Sequence, residues 1–240
     1  MTVFESFGAQ HVLILIFVAI LISIVANYAR SIRGNKKKDR FMLILAWLIL
    51  GQEFVGQVLR VYLRDWHIDQ DLLIHMCGLA IFIVPYALIT KKKWAIELSY
   101  YWGIGGSIQA LLTPNLIYAL PEYHAIHFVV SHSMLLVGSV CLMVLTRHRL
   151  SMRGLYRVMI TTIVAAFMAM MSSIVINIIW PGLRANYWFM LEKPHGSTIM
   201  AYLPDWPWYV APLACIVAGI LYVMYLIGPH EKRTSSVKKS

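Results

Sequence analysis

The chain has 240 residues, 60% of them hydrophobic and only 13% charged, with a mean hydropathy of +0.68. Soluble domains of this size carry about a quarter charged residues, so the composition excludes an ordinary soluble enzyme and points to one polytopic membrane domain. The net charge of +10 would suit a nucleic-acid surface, but the placement of the charges excludes that reading.

Seven all-α membrane spans are expected at about 10–28, 41–60, 72–90, 95–112, 124–146, 158–180 and 206–228, with a basic tail at 229–240. No cleavable signal peptide of the usual form is expected, because the first Lys or Arg is Arg30, after the first apolar run. The first span opens with His11. The second carries Glu53 and Gln57, and the third His75 and Cys77, with Pro85 expected to kink it. The fourth contains Glu97, Gln109 and "GIGGS" (Gly103 to Ser107), which has no strand before it; its small residues suit close helix packing, not a dinucleotide. The fifth holds His124, His127 and His132. The sixth is rich in Met (Met159, Met168, Met170, Met171), as core or lipid-facing filler, and ends with Asn177. The seventh lacks lysine, so it cannot form the Schiff base of a retinal protein. Pro114, Pro121, Pro181 and Pro204 fall in loops.

Orientation follows from the basic residues. Arg30, Arg33, Lys36, Lys37, Lys38, Arg40, Lys91, Lys92, Lys93, Arg147, Arg149, Arg153, Arg157, Lys232, Arg233, Lys238 and Lys239 fall on one side. Only Arg60, Arg64, Arg184 and Lys193 fall on the other. The positive-inside rule then places the N-terminus outside and the C-terminus in the cytoplasm. Three cysteines, Cys77, Cys141 and Cys215, lie in apolar runs, which argues against a disulfide framework.

Polar residues in a membrane face the bundle interior or a wet cavity. At about 1.5 Å per residue, His75, Gln57, Gln109 and Asn177 lie about 5 Å below the outer end of their spans, Cys77 about 8 Å, and Glu53 and His132 about 11–12 Å. With His11, six spans can contribute to one outer pocket. Positions two apart on a helix differ by about 200° in direction, so His75 and Cys77 are expected to point apart. A base for Cys77 then has to come from another helix, and His132 has the matching depth. The ordinary reading of a membrane cysteine is a small apolar residue, which is assigned to Cys141 and Cys215. Histidines also bond across helices without further chemistry. A metal on His124, His127 and His132 is disfavoured because His132 turns away from the first two; a metal or haem on His75, His127 and His132 is a third reading, and no metal or other cofactor is expected.

The segments "IELSYYWGIGGSIQALLTPNL", "HFVVSHSMLLVG", "NYWFMLEKP", "WPWYVAPL" and "IHMC" resemble the YwaF family of bacterial integral membrane proteins, over about His11 to Tyr222. That family is similar to the vertebrate transmembrane protein 164 acyltransferase family, which moves polyunsaturated acyl chains into ether phospholipids with a Cys and a His. It more distantly resembles the androgen-induced membrane hydrolases, which use Thr and His. The resemblance implies Cys77 as nucleophile and His132 as base, with His75 in the same element as Cys77. It places Asn186, Tyr187, Lys193 and Pro194 in an outer-loop motif, and Trp206 to Tyr209 at the start of the last span. The chain departs from the pattern at Asn115, where an acid is expected, and at "LPDWPWY", where "GPWPWY" is expected.

The expectation is a membrane-embedded Cys–His lipid acyltransferase or acyl hydrolase, working through a thioester at the outer leaflet on acyl esters of a phospholipid or glycolipid, with a lysolipid or water resolving the thioester. The other class consistent with the same pocket is a non-enzymatic binding or transport protein. Oligomeric state, acyl donor and acceptor are left open.

Overall fold

In the computed structural model of the chain, residues 3–114, 116–193 and 202–229 are described. Apolar stretches in a bilayer must satisfy their own backbone hydrogen bonds, so they become helices. Seven rods result: α1 (Ala9–Ser31), α2 (Asn35–Tyr62), α3 (Met76–Thr90), α4, α5 (Tyr123–Thr146), α6 (Met152–Ile179) and α7 (Val210–Ile227). The label α4 covers three continuous stretches: α-helical Lys93–Leu98, π-helical Ser99–Gly106 and α-helical Ser107–Leu112. Among the described residues there is no β-strand, only an isolated bridge between Val3 and Tyr118.

Five rods, α1, α2, α5, α6 and α7, are long and apolar enough to cross a membrane. Their outer faces are greasy: Leu13, Phe17 and Ile24 on α1, Ile163, Phe167 and Met168 on α6, and Val223 and Ile227 on α7 are all exposed. A soluble protein would not leave such faces to water, so this is a multi-pass membrane protein.

The turns are unequal. Residues 32–34, 91–92 and 147–151 join helices tightly on one side, beside the basic runs. Lys91 and Arg147 end α3 and α5 in the left-handed conformation, with φ 54° and 51°. The opposite side has the described parts of the long connections, 63–75, 113–114, 116–122, 180–193 and 202–209. Glu97 is buried at the tight-turn end. It is held there by the α5–α6 turn: Ser151 Oγ donates to its carboxylate (3.0 Å), and His148 Nε2 and Arg157 approach to 3.5 and 3.8 Å.

α3 is the central rod. Ala80, Ile81, Val84, Pro85, Ala87 and Leu88 are buried against α2, α4 and α5, and the helix continues through Pro85. The glycines of the π stretch let neighbours in close: the space a Gly103 side chain would take belongs to Ser139, that of Gly105 to Met224 and that of Gly106 to Met76.

Candidate functional site at the start of α3

The expected helix over 72–90 begins only at Met76, and this changes the site. Residues 72–75 are tied to the connection between α6 and α7. The Leu72 N–H bonds Tyr187 Oη (3.1 Å), Trp188 Nε1 donates to the Ile74 carbonyl (2.6 Å), and the Trp188 N–H donates to His75 Nδ1 (3.2 Å). These tertiary bonds take the place of helical ones. His75 is therefore the N-cap residue, with φ −61° and ψ 155°, and not a helical neighbour of Cys77. The 200° argument fails because the chain is extended there.

Two consequences follow for Cys77. It sits in the first turn of α3, next to the leading N–H groups of the helix. The N-cap side chain gives α3 no hydrogen bond, since His75 is turned to Trp188. The first bond of the helix is Leu79 N–H to the His75 carbonyl (2.9 Å). Among the described residues, the N–H groups of Met76, Cys77 and Gly78 make no hydrogen bond. Because His75 Nδ1 accepts, its proton is on Nε2. The ring lies between Tyr187 and Phe189, with centroids 4.9 and 5.9 Å away. Cys77 is half-buried, and its thiol borders the space beside Gly106.

His132 stands on α5, which packs on α3. Its Nδ1 donates to the Phe128 carbonyl (2.8 Å), which leaves the lone pair on Nε2, the state a general base requires. Among the described residues no hydrogen bond joins His132 to Cys77.

The other expected residues divide. His11 is buried with both ring nitrogens engaged, by the Phe7 N–H (2.9 Å) and the Leu111 carbonyl (2.7 Å), so it fastens α1 to α4. Gln109 is exposed and bonds Thr113 (2.7 Å). Asn177 clips the connection after α6 by a two-way bond to the Ala185 backbone (3.0 and 2.7 Å). Asn186 holds the backbone of Leu191 and Glu192. Tyr187 is buried, and its hydroxyl donates to the Ile68 carbonyl (2.7 Å); burial pushes its pKa up to about 12, so it remains a donor. Lys193 is occupied by the Leu203 carbonyl (3.0 Å) and Asp205 (2.9 Å). Tyr209 Oη, at the foot of α7, bonds the Phe189 carbonyl (2.6 Å). Asn115 and Pro194 lie outside the described residues.

Glu53 and Gln57 belong to a buried polar ladder whose other members the sequence reading did not assign. Gln57 Nε2 donates to Glu53 Oε1 (3.0 Å), and Trp66 Nε1 to Gln57 Oε1 (2.9 Å). His127 Nε2 lies 3.4 Å from Glu53 Oε2, and Arg60 Nη2 donates to His127 Nδ1 (3.1 Å). Arg60 pairs through Nη1 with Asp71, whose other oxygen accepts from the His67 N–H (2.7 Å). The legible signal was the spacing: 53, 57 and 60 lie on one face of α2, and 127 and 131 are one turn apart on α5. The side chains of His124, His127 and His132 have different partners: Asp65 and Glu122, Arg60 and Glu53, and the Phe128 carbonyl.

Comparison with known proteins adds to this geometry. The model of the TMEM164 family matches residues 6–225. The chain belongs to the TMEM164 family. An uncharacterized protein of Treponema pallidum (strain Nichols) is 28% identical to it over 236 residues, covering 95% of this chain and 93% of that one. No solved structure matches the chain. The TMEM164-family match spans all seven rods, from the turn before α1 to near the end of α7.

Proposed function

We propose that this TMEM164-family protein is a membrane-embedded lipid acyltransferase or acyl hydrolase of the bacterial YwaF branch, with Cys77 as nucleophile and His132 as base. The observation that carries this reading is the first turn of α3: a thiol beside three backbone N–H groups that have no acceptor among the described residues.

On this reading His132 Nε2 takes the thiol proton and the thiolate attacks the ester carbonyl carbon of a phospholipid. The N–H groups of Met76, Cys77 and Gly78 and the Nε2–H of His75 stabilise the oxyanion. The ester C–O bond breaks, the lysolipid oxygen takes the proton from His132, and a thioester remains on Cys77. A second hydroxyl, of a lysolipid or of water, gives its proton to His132 and attacks the thioester, which frees the thiolate. Catalytic hydrogen bonds often tighten only in the substrate complex, and the bound ester draws thiol and imidazole together. In the plasma membrane, with the N-terminus outside, this chemistry faces the outer leaflet.

The test is intact mass after incubation with phosphatidylcholine or phosphatidylethanolamine vesicles. A gain of one acyl chain, released by hydroxylamine, is expected in the wild type. It should be absent in Cys77→Ala and slowed at least about 100-fold in His132→Ala. No adduct and no lysolipid with either lipid would retire the enzyme reading in favour of a binding or transport protein.

A further inference from the structure

The polar ladder connects the two segments that carry the proposed nucleophile and base. Asp71 belongs to the connection that delivers His75 and Cys77; it lies six residues before the thiol. His127 is on α5, five residues before His132. Arg60, on α2, binds both: Nη1 pairs with Asp71 and Nη2 donates to His127 Nδ1. The far nitrogen of His127 faces Glu53, which is itself fixed by Gln57 and by Ser131 Oγ (3.4 Å). The site is shaped for this contact. A side chain at Gly56 would occupy the place of the His127 imidazole, and the Gly56 carbonyl accepts from Tyr123 Oη (2.7 Å), one turn from His127.

We propose that Arg60 and His127 are positioning residues: a clamp that holds the Cys77 segment in register with the His132 helix. This rests on the acyl-transfer reading. Arg60 does the spanning because its planar fork reaches a carboxylate and an imidazole at once, which a lysine ammonium cannot reproduce. The acceptor role of Nδ1 demands the tautomer with its proton on Nε2, toward Glu53. The clamp lies outside the reacting groups, so its loss should slow chemistry by misplacement and leave the fold standing.

The test compares Arg60→Lys, His127→Gln and His127→Leu in the full-length protein, with two readouts. One is the rate of acyl adduct formation on Cys77. The other is the rate at which iodoacetamide alkylates Cys77, followed on the Cys77 peptide so that Cys141 and Cys215 do not interfere. A glutamine at 127 offers both an acceptor for Arg60 and a donor for Glu53, so it should acylate within about threefold of wild type. Arg60→Lys and His127→Leu should be at least about tenfold slower at nearly unchanged thermal midpoints. If His127→Leu does not fold, Arg60→Lys against His127→Gln decides. Wild-type rates for both acylation and alkylation in folded Arg60→Lys would overturn the clamp, as would equal losses in His127→Gln and His127→Leu. If the wild type forms no adduct while alkylation still follows the clamp variants, the acyl-transfer reading fails and the clamp stands.

Discussion

Gly78 is the residue on which the start of α3 depends. A side chain there would meet the Leu73 backbone at 2.7–2.8 Å, so the extended stretch before the helix has room only because Gly78 lacks one. Gly78→Ala should cost about 1–3 kcal/mol of stability, through overpacking. It should also slow formation of the Cys77 adduct about tenfold or more, because the 72–75 turn moves with His75. Thermal unfolding in detergent and intact mass read the two effects separately; an unshifted midpoint would mean that the turn yields freely. At this scale the sequence was partly legible. The burial of Glu53 and its bond to Gln57 agree with their placement as polar residues inside a span. The orientation of His75 was not legible, because its partner Trp188 is 113 residues away. Arg60 was counted only as a topology charge, since an arginine near a helix end gives no local sign of whether it meets solvent or a buried histidine.

Among the elements, two helices begin at side-chain caps. Glu122 accepts from the Ala125 N–H (3.1 Å) at the start of α5, and Ser151 from the Gly154 N–H (3.0 Å) at the start of α6. Ser151 has a second task, since its hydroxyl also donates to buried Glu97. Ser151→Ala removes both bonds and should cost about 1–3 kcal/mol, whereas Ser151→Thr keeps both and should cost less than about half of that. Chemical or thermal denaturation of the two variants side by side checks the ratio; equal losses would show that the hydroxyl contributes nothing. The close packing of "GIGGS" was readable from its small residues. Its π-helical winding was not, because nothing local in eight residues distinguishes a π turn from an α turn; the neighbours Met76, Ser139 and Met224 occupy the space it opens. The start of α3 was misread for a related reason. Leu72, Leu73 and Ile74 are as apolar as any span, but the backbone of Leu72 and Ile74 is bonded to the connection between α6 and α7.

For the molecule as a whole, the short turns and the basic runs fall on the same side, and every long connection falls on the other. On the orientation proposed above, a fluorescent protein that folds only in the cytoplasm should glow when fused after Ser240 and stay dark when inserted between Ile117 and Tyr118. The reverse pattern would invert the topology and put the start of α3 at the inner leaflet. One further consequence comes from the brevity of α3. Its 15 residues reach about 22 Å, against roughly 30 Å of hydrocarbon, so the central rod stops about 8 Å short of one surface. The missing length is filled by the polar backbone of two loops. On the acyl-transfer reading, the thioester then stands at the level where water activity begins to climb toward the interface. Two acceptors compete for it there, a lysolipid hydroxyl held by the membrane and water entering between the loops. The partition between transfer and hydrolysis becomes a matter of how tightly Trp188 and Tyr187 seal the top of the rod.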